Sequence, residues 1–245
     1  MRLFASCYYK GTNYYGWQKQ PNVKTVEETI ENALSKFFGN QPINIYGAGR
    51  TDAGVHAFGQ KFHFDIEDTE IDLDRLLYSV NQMLPPDIKI DDIEEVEESF
   101  HARFSAKSKM YTYTILEQSK DPFLYDTVYF HPEKIDIDKL KEVLNYFVGT
   151  HNFKNFTSKE EDDNNFVREI YSINVDRNVD LIYITFTGEG FMRYMIRMIV
   201  GTALRICEKD LDPAMVVEML DENSPREVTP YKAPACGLTL VDVLY

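Results

Sequence analysis

The sequence lacks any cysteine pair spaced to bind a metal or to form a redox motif. Its three cysteines, Cys7, Cys207 and Cys236, are scattered and odd in number, which argues against a disulfide framework and a structural zinc site. The five histidines, His56, His63, His101, His131 and His151, are equally dispersed, so no metal and no metal ligands are expected. No stretch reaches the roughly 18 apolar residues of a membrane span. The opening Met1-Arg2-Leu3-Phe4-Ala5-Ser6-Cys7 is too short in apolar length for a signal peptide, and a cytoplasmic protein is expected. Phosphate-loop spacing is missing too. Gly47 and Gly49 begin like G-x-G-x-x-G, but Asp52 stands at the third glycine position and an alternating stretch, not a helix, follows. Basic residues are also few, 26 Lys and Arg against 40 Asp and Glu, for a net charge of −14 at pH 7.

That charge argues against a nucleic-acid partner until its distribution is read. Residues 65–98 hold two basic against thirteen acidic residues, whereas residues 1–64 hold seven against four and residues 99–120 four against one. The acidic block alternates with apolar residues from Ile88 to Val96, as in a half-exposed strand with a solvated acidic face. A local basic cleft on an acidic body stays possible, because focusing depends on local charge.

The most distinctive stretch runs from Gly47 to His56, Gly-Ala-Gly-Arg-Thr-Asp-Ala-Gly-Val-His. Ile43, Ile45 and Tyr46 precede it, and an alternating run from Phe58 to Asp65 follows, which predicts strand, loop, strand. Glycines permit positive φ and close approach of a ligand. Arg50 and Asp52 stand two apart and point to the same side of an extended chain. Gly-rich turns with Asp are also common as plain structure, since Asp caps its own backbone.

Further signals follow in order. Leu3 to Lys10 alternates as a strand, and Gly11 to Gln18 is an aromatic loop holding the only Trp, read either as a packed loop or as an aromatic surface beside a base. Thr25-Val26-Glu27-Glu28 is a capping box opening a helix that stops at Gly39. Asp72 caps a second helix that Pro85-Pro86 ends. Phe100 to Ala106 is a loop and Lys107 to Glu117 a strand. Ile135 to Val148 is a helix capped by Asp136. The polar run Lys159 to Asn165 reads as a mobile loop. Val167–Val175 and Leu181–Thr187 form a hairpin, and Gly237 to Tyr245 is a closing strand. Asp212-Pro213 starts a short last helix.

Phe191 to Cys207 is nearly all apolar, as in a buried helix. Arg193, Arg197, Gly201 and Arg205 nevertheless recur every four residues. Arg193 and Arg205 lie near the ends, where they can reach outward. Arg197 lies in the middle, and a buried arginine stays charged and needs an anionic partner. Asp52 is the favoured candidate, with another carboxylate in a structural pair as the alternative.

About eight strands and four or five helices predict an α+β fold, with a long, mostly antiparallel sheet and helices packed on it. Two similar α/β halves are expected, residues 1–105 with the Asp52 loop and residues 106–245 with the Arg-bearing helix, and the family resemblance set out next implies that they form a central RNA-binding cleft.

Together these stretches resemble the tRNA pseudouridine synthase A family over nearly the whole chain. The resemblance rests on Tyr9-Lys10-Gly11 with Gly16-Trp17-Gln18-Lys19-Gln20, Gly49 to Ala57, and Asn81 with Leu84-Pro85-Pro86-Asp87-Ile88. It continues through Phe100 to Ala106, Tyr111-Thr112-Tyr113, Gly149 to Phe153, Phe191 to Gly201 and Gly237-Leu238. It implies an enzyme that converts uridine to pseudouridine at positions 38, 39 and 40 of the tRNA anticodon stem-loop, as a homodimer without metal or organic cofactor. It further implies that Asp52 is catalytic, Arg50 enters the RNA, Tyr111 stacks on the target uracil and Arg197 pairs with the aspartate. Arg103 and Lys109 are expected to touch RNA phosphates, and His56 to orient the loop or contact phosphate. A lone carboxylate suits attack at an anomeric carbon or proton removal. A nucleoside hydrolase or glycosidase is the enzymatic rival, but it usually needs a second carboxylate or a metal. A non-catalytic structured-RNA-binding protein is the rival of another class.

Overall fold

A computed structural model of the chain describes residues 1–67, 70–158 and 165–245. Most of the polar stretch Lys159 to Asn165, residues 159–164, thus lies outside the described residues. Among the described residues there are ten strands, mostly antiparallel, and five α-helices, divided between two compact units. The first comprises residues 1–107 and 239–245, the second residues 108–238. Thr239 and Leu240 pair in parallel with His56 and Ala57, so the end of the chain belongs with the beginning.

In the first unit, β1 (Arg2–Tyr9) lies between β3 (His56–Asp65) and β4 (Ile88–Val96), antiparallel to both. The short β2 (Ile45–Gly47) pairs with β3, as does the parallel β10 (Leu238–Leu244). Helix α1 (Val26–Phe37) begins where Thr25 Oγ1 accepts the Glu28 amide, and α2 (Leu73–Met83) where Asp72 accepts the Arg75 amide. The helices pack on each other, and α2 lies on β4. Leu3, Ile30, Leu34, Phe62, Phe64, Leu76 and Ile90 are wholly buried. Each such side chain contributes about 1.5–3 kcal/mol through burial. The acids of β4 (Asp91, Asp92, Glu94 and Glu95) are exposed, as a solvated face requires.

In the second unit, β5 (Ser108–Glu117), β9 (Leu181–Gly188), β8 (Val167–Asn178) and β7 (Gly149–Asn152) form an antiparallel array, with β6 (Tyr129–His131) parallel to β5. At three and four residues, β6 and β7 are too short to show an alternating pattern, and the sequence did not reveal them. Helix α3 (Ile137–Asn145), capped by Asp136, packs on α4 (Met195–Glu208) and on β8. Helix α4 starts four residues later than its apolar run, because Tyr194 is left-handed at φ 64°. Asp212 accepts the Ala214 amide just before α5 (Met215–Leu220). No helix among the described residues is long and apolar enough to cross a membrane.

One buried titratable group sits beside this frame. His63 on β3 is 1% exposed, stacks on Tyr46 and accepts the Ala102 amide at Nδ1. Burial first, then neighbouring His101, lowers its pKa from 6.5 to about 4. Between those values the unfolded chain binds the extra proton, so stability is present above pH 6.5 and falls as the pH drops toward 4. In His63→Asn, which offers an acceptor that does not titrate, urea unfolding at pH 5 and pH 7 should differ less than in the parent. An equal pH dependence in both proteins would rule His63 out as its source.

Candidate active site

The Gly47–His56 loop joins β2 to β3 and is held from beneath. Thr51 is buried, its Oγ1 2.8 Å from the Tyr9 hydroxyl, while Arg50 on one side is exposed and Asp52 on the other is half-buried. That is the alternation expected of extended chain, with the two charged side chains turned away from the core. Backbone bonds complete the hold. Trp17 N–H donates to Thr51 O at 3.2 Å, Gly54 N–H to Tyr14 O at 3.2 Å, and Ala48 N–H to Lys61 O at 2.7 Å. Gln60 Nε2 donates to Gly49 O at 2.9 Å. His56 is buried, and its Nδ1 accepts the Gly11 amide at 3.0 Å.

The aromatic loop is therefore a bracket. Trp17 and Tyr14 are buried, and only Tyr15 of the three is exposed. The same segment closes the start of α1, where Val26 N–H donates to Gly16 O and Glu27 N–H to Trp17 O. It also fixes Asp87, whose carboxylate accepts the Tyr14 hydroxyl at 2.6 Å and whose carbonyl accepts the Lys10 amide. Burial and this bond push the Tyr14 phenol up. Two glycines make the approach possible. A Cβ on Gly11 would stand 1.9 Å from Val55 O, and one on Gly16, at φ 90°, 2.5 Å from Thr51 O. The sequence signal was there in Gly11 and Gly16, but nothing in their spacing said which backbone they would meet.

In the second unit Tyr111 is buried on β5, with Phe191 packed edge-on at 5.4 Å. Lys109, two residues earlier on β5, is opposite Gly188. Arg197 is 9% exposed, in the first turn of α4; its Nε donates to Ala233 O at 2.8 Å, and its guanidinium lies 5.5 Å from the Tyr194 ring centre. Arg193 is exposed and Arg205 half-exposed, so of the arginine stripe only the middle member is buried. In the first unit Arg103 is exposed on the loop after β4, its guanidinium over Phe104. Arg50, Asp52 and His56 thus share one loop, Tyr111, Lys109 and Arg197 belong to the second unit, and Arg103 stands on a different loop of the first. Among the described residues no group of three His, Cys, Asp or Glu could hold a metal ion.

Comparison with known proteins identifies the family. The profile of the family described as "tRNA pseudouridine synthase" matches residues 5–105 and 143–245. The chain is similar to the tRNA pseudouridine synthase A of Caldicellulosiruptor bescii, 38% identical over 97% of this chain and 96% of that one. It is 40% identical to that of Caldicellulosiruptor saccharolyticus over the same shares. It is 38% identical to tRNA pseudouridine synthase A 1 of Bacillus cereus over 100% of this chain and 98% of that one. Among solved structures, a chain from a Cbf5-Nop10-Gar1 complex aligns with 82% of this chain and 54% of its own length, at 12% identity and a TM-score of 0.34.

The bracket generates a stability prediction. Gly11→Ala must displace the Val55 carbonyl and should cost about 1–3 kcal/mol by urea unfolding, as overpacking does. Gly39→Ala, at φ 66° but with open space around it, should cost only about 1 kcal/mol of backbone strain. Equal midpoints for the two variants would show that the bracket tolerates a methyl group.

Proposed function

The chain belongs to the tRNA pseudouridine synthase family, and on that premise we propose that it acts at positions 38, 39 and 40 of the anticodon stem-loop with Asp52 as catalytic nucleophile or base. It is a tRNA uridine-to-pseudouridine isomerase. The reaction breaks the N1–C1′ bond, turns the uracil and joins C5 to C1′; C5 gives up a proton and N1 gains one. Substrate and product are isomers, so no redox partner is consumed.

The observation that carries the reading is the seat of Asp52. It is the one carboxylate in a loop whose backbone is tied at Ala48, Gly49, Thr51 and Gly54. A nucleophile held in this way meets the sugar without first ordering its own chain. To act, the carboxylate must be ionised. Arg197 is assigned the cation that favours this form, since a guanidinium keeps its charge when buried. Arg50, exposed two residues from Asp52, is assigned entry into the RNA. Tyr111 is assigned the stack on the extruded uracil, for a base taken out of the helix needs an aromatic face. Arg103 and Lys109 are assigned to phosphates. His56, buried beneath the loop, is assigned its orientation through Gly11. The protein is further proposed to work as a homodimer, as the resemblance implies, and in the cytoplasm.

Asp52→Ala and Asp52→Asn should abolish pseudouridine in a tRNA transcript, mapped chemically after incubation, and leave the fold and much of the tRNA affinity. Turnover at a measurable fraction of the parent rate would end the assignment. Bound RNA with no product from the parent protein would favour a non-catalytic RNA-binding role.

Tyr111→Phe should be milder than Tyr111→Leu, because stacking uses the ring more than the hydroxyl. A lost stack costs about 1–3 kcal/mol, or roughly 5- to 150-fold. If both variants kept the parent activity, Tyr111 would have no part in holding the base.

A further inference from the structure

Three cations of the second unit surround one aromatic ring. Lys232 Nζ lies 4.1 Å, Arg193 Cζ 4.8 Å and Arg197 Cζ 5.5 Å from the centre of Tyr194. Arg193 and Lys232 are exposed, and neither meets a carboxylate among the described residues. Arg193 Nη2 donates to the Tyr194 hydroxyl at 2.9 Å. A ring face attracts a cation, but the gain at an exposed site is small. It does not offset the mutual repulsion of the two exposed charges, Arg193 and Lys232, gathered round it. Such a cluster is favourable when an anion completes it.

The platform beneath is built to hold this shape. Arg197 N–H is in the first turn of α4, and its carbonyl accepts the Ala233 amide at 2.9 Å while its Nε donates back to Ala233 O at 2.8 Å. This reciprocal pair places Lys232, the residue just before Ala233. Pro234 O is fixed in turn by the Tyr113 hydroxyl at 2.8 Å. Gly201 lets the segment come close, since a Cβ there would stand 2.9 Å from Ala233 N and Tyr231 O. Tyr194 takes a left-handed conformation that most side chains avoid. Three residues earlier, Phe191 packs on Tyr111.

We propose that Arg193 and Lys232, over Tyr194 and with the field of Arg197 beneath, form a subsite for a backbone phosphate of the tRNA substrate, adjoining the nucleotide stacked on Tyr111. The inference rests on the proposed function for its ligand, and on the cation cluster for its place. A phosphodiester is the occupant the chemistry selects: a compact anion met by two exposed cations over one ring.

The test is the salt dependence of binding an unmodified tRNA transcript. Losing one phosphate contact should lower the slope of log K against log salt by about one. Arg193→Gln and Lys232→Gln should each do so, with weaker binding at low salt, and Lys232→Arg should restore the parent slope. A transcript whose target uridines are replaced by cytidine should show the same change, because phosphate contacts carry no sequence information. Thermal midpoints should stay at the parent value, both side chains being exposed. Unchanged slopes in both Gln variants overturn the proposal, and so does a loss that Lys232→Arg fails to restore. In a parallel arm, inorganic phosphate should displace tRNA no better than chloride at equal ionic strength. Specific displacement that vanishes in Lys232→Gln would mark a free-phosphate site and overturn the assignment to RNA. If the parent protein formed no pseudouridine in any tRNA, the functional reading would fall, while the slopes would still report on the cluster.

Discussion

Everything proposed for the catalytic loop depends on main-chain hydrogen bonds between two irregular segments, residues 11–17 and 48–55. Irregular backbone carries donors and acceptors that helices and sheets would otherwise satisfy. Here each segment satisfies the other: the Trp17 and Gly54 amides donate across to Thr51 and Tyr14, and Gly11 donates to His56. The buried Tyr9–Thr51 bond adds a side-chain tie. Asp52 is thereby positioned without being buried. A loop free to move would have to be ordered when RNA binds, at about 1–2 kcal/mol per residue of backbone entropy. The bracket has met that cost during folding. The aromatic residues at 14 and 17, open in the sequence to a base-contacting reading, are packed inward to make the bracket solid.

A second close approach organises the other unit. The recurrence of Arg193, Arg197, Gly201 and Arg205 looks from sequence like a charged stripe in search of a partner. In the structure it is a track for the segment around residues 231–233. Arg197 exchanges two hydrogen bonds with Ala233, Gly201 admits the backbone, and Arg205 lies 5.5 Å from the Tyr231 ring centre. The glycine is needed because the chain crosses the helix there, and the two flanking arginines hold it on either side. Arg197 is thus tied to Ala233 whatever anion it meets, which fixes the direction of its guanidinium. A buried arginine with an unfixed head would be a poor counter-charge.

Local chemistry made most of the fold legible. Thr25, Asp72 and Asp136 accept helix amides as their sequence positions predict, because a side-chain acceptor at a helix start is a local event. Long alternating strands such as β4 and β5 were legible for the same reason. What the sequence concealed was decided at long range. The pairing of β10 with β3 joins residues nearly two hundred apart, and β6 and β7 exist only as partners of longer strands. The delayed start of α4 depends on one φ angle at Tyr194, in a run whose composition gives no sign of it. Of the candidate site, Arg50 and Asp52 could be read from their loop and Arg197 from its incongruous setting. Lys232 could not: a lone lysine beside Ala233 and Pro234 has no periodicity, and its neighbours round Tyr194 come from a different stretch of chain.

The net charge of −14 is the last apparent conflict with an RNA substrate, and it resolves by scale. Exposed charges act over about 8 Å at physiological salt. A phosphate therefore responds to the few groups nearest it, not to the total. The acidic excess is concentrated in residues 65–98, where β4 turns Asp91, Asp92, Glu94 and Glu95 to solvent. Around Tyr194, by contrast, three cations converge. Such a division also restricts where a polyanion can rest. An evenly basic surface would hold RNA in many registers, whereas an acidic body repels it everywhere except at the basic groups.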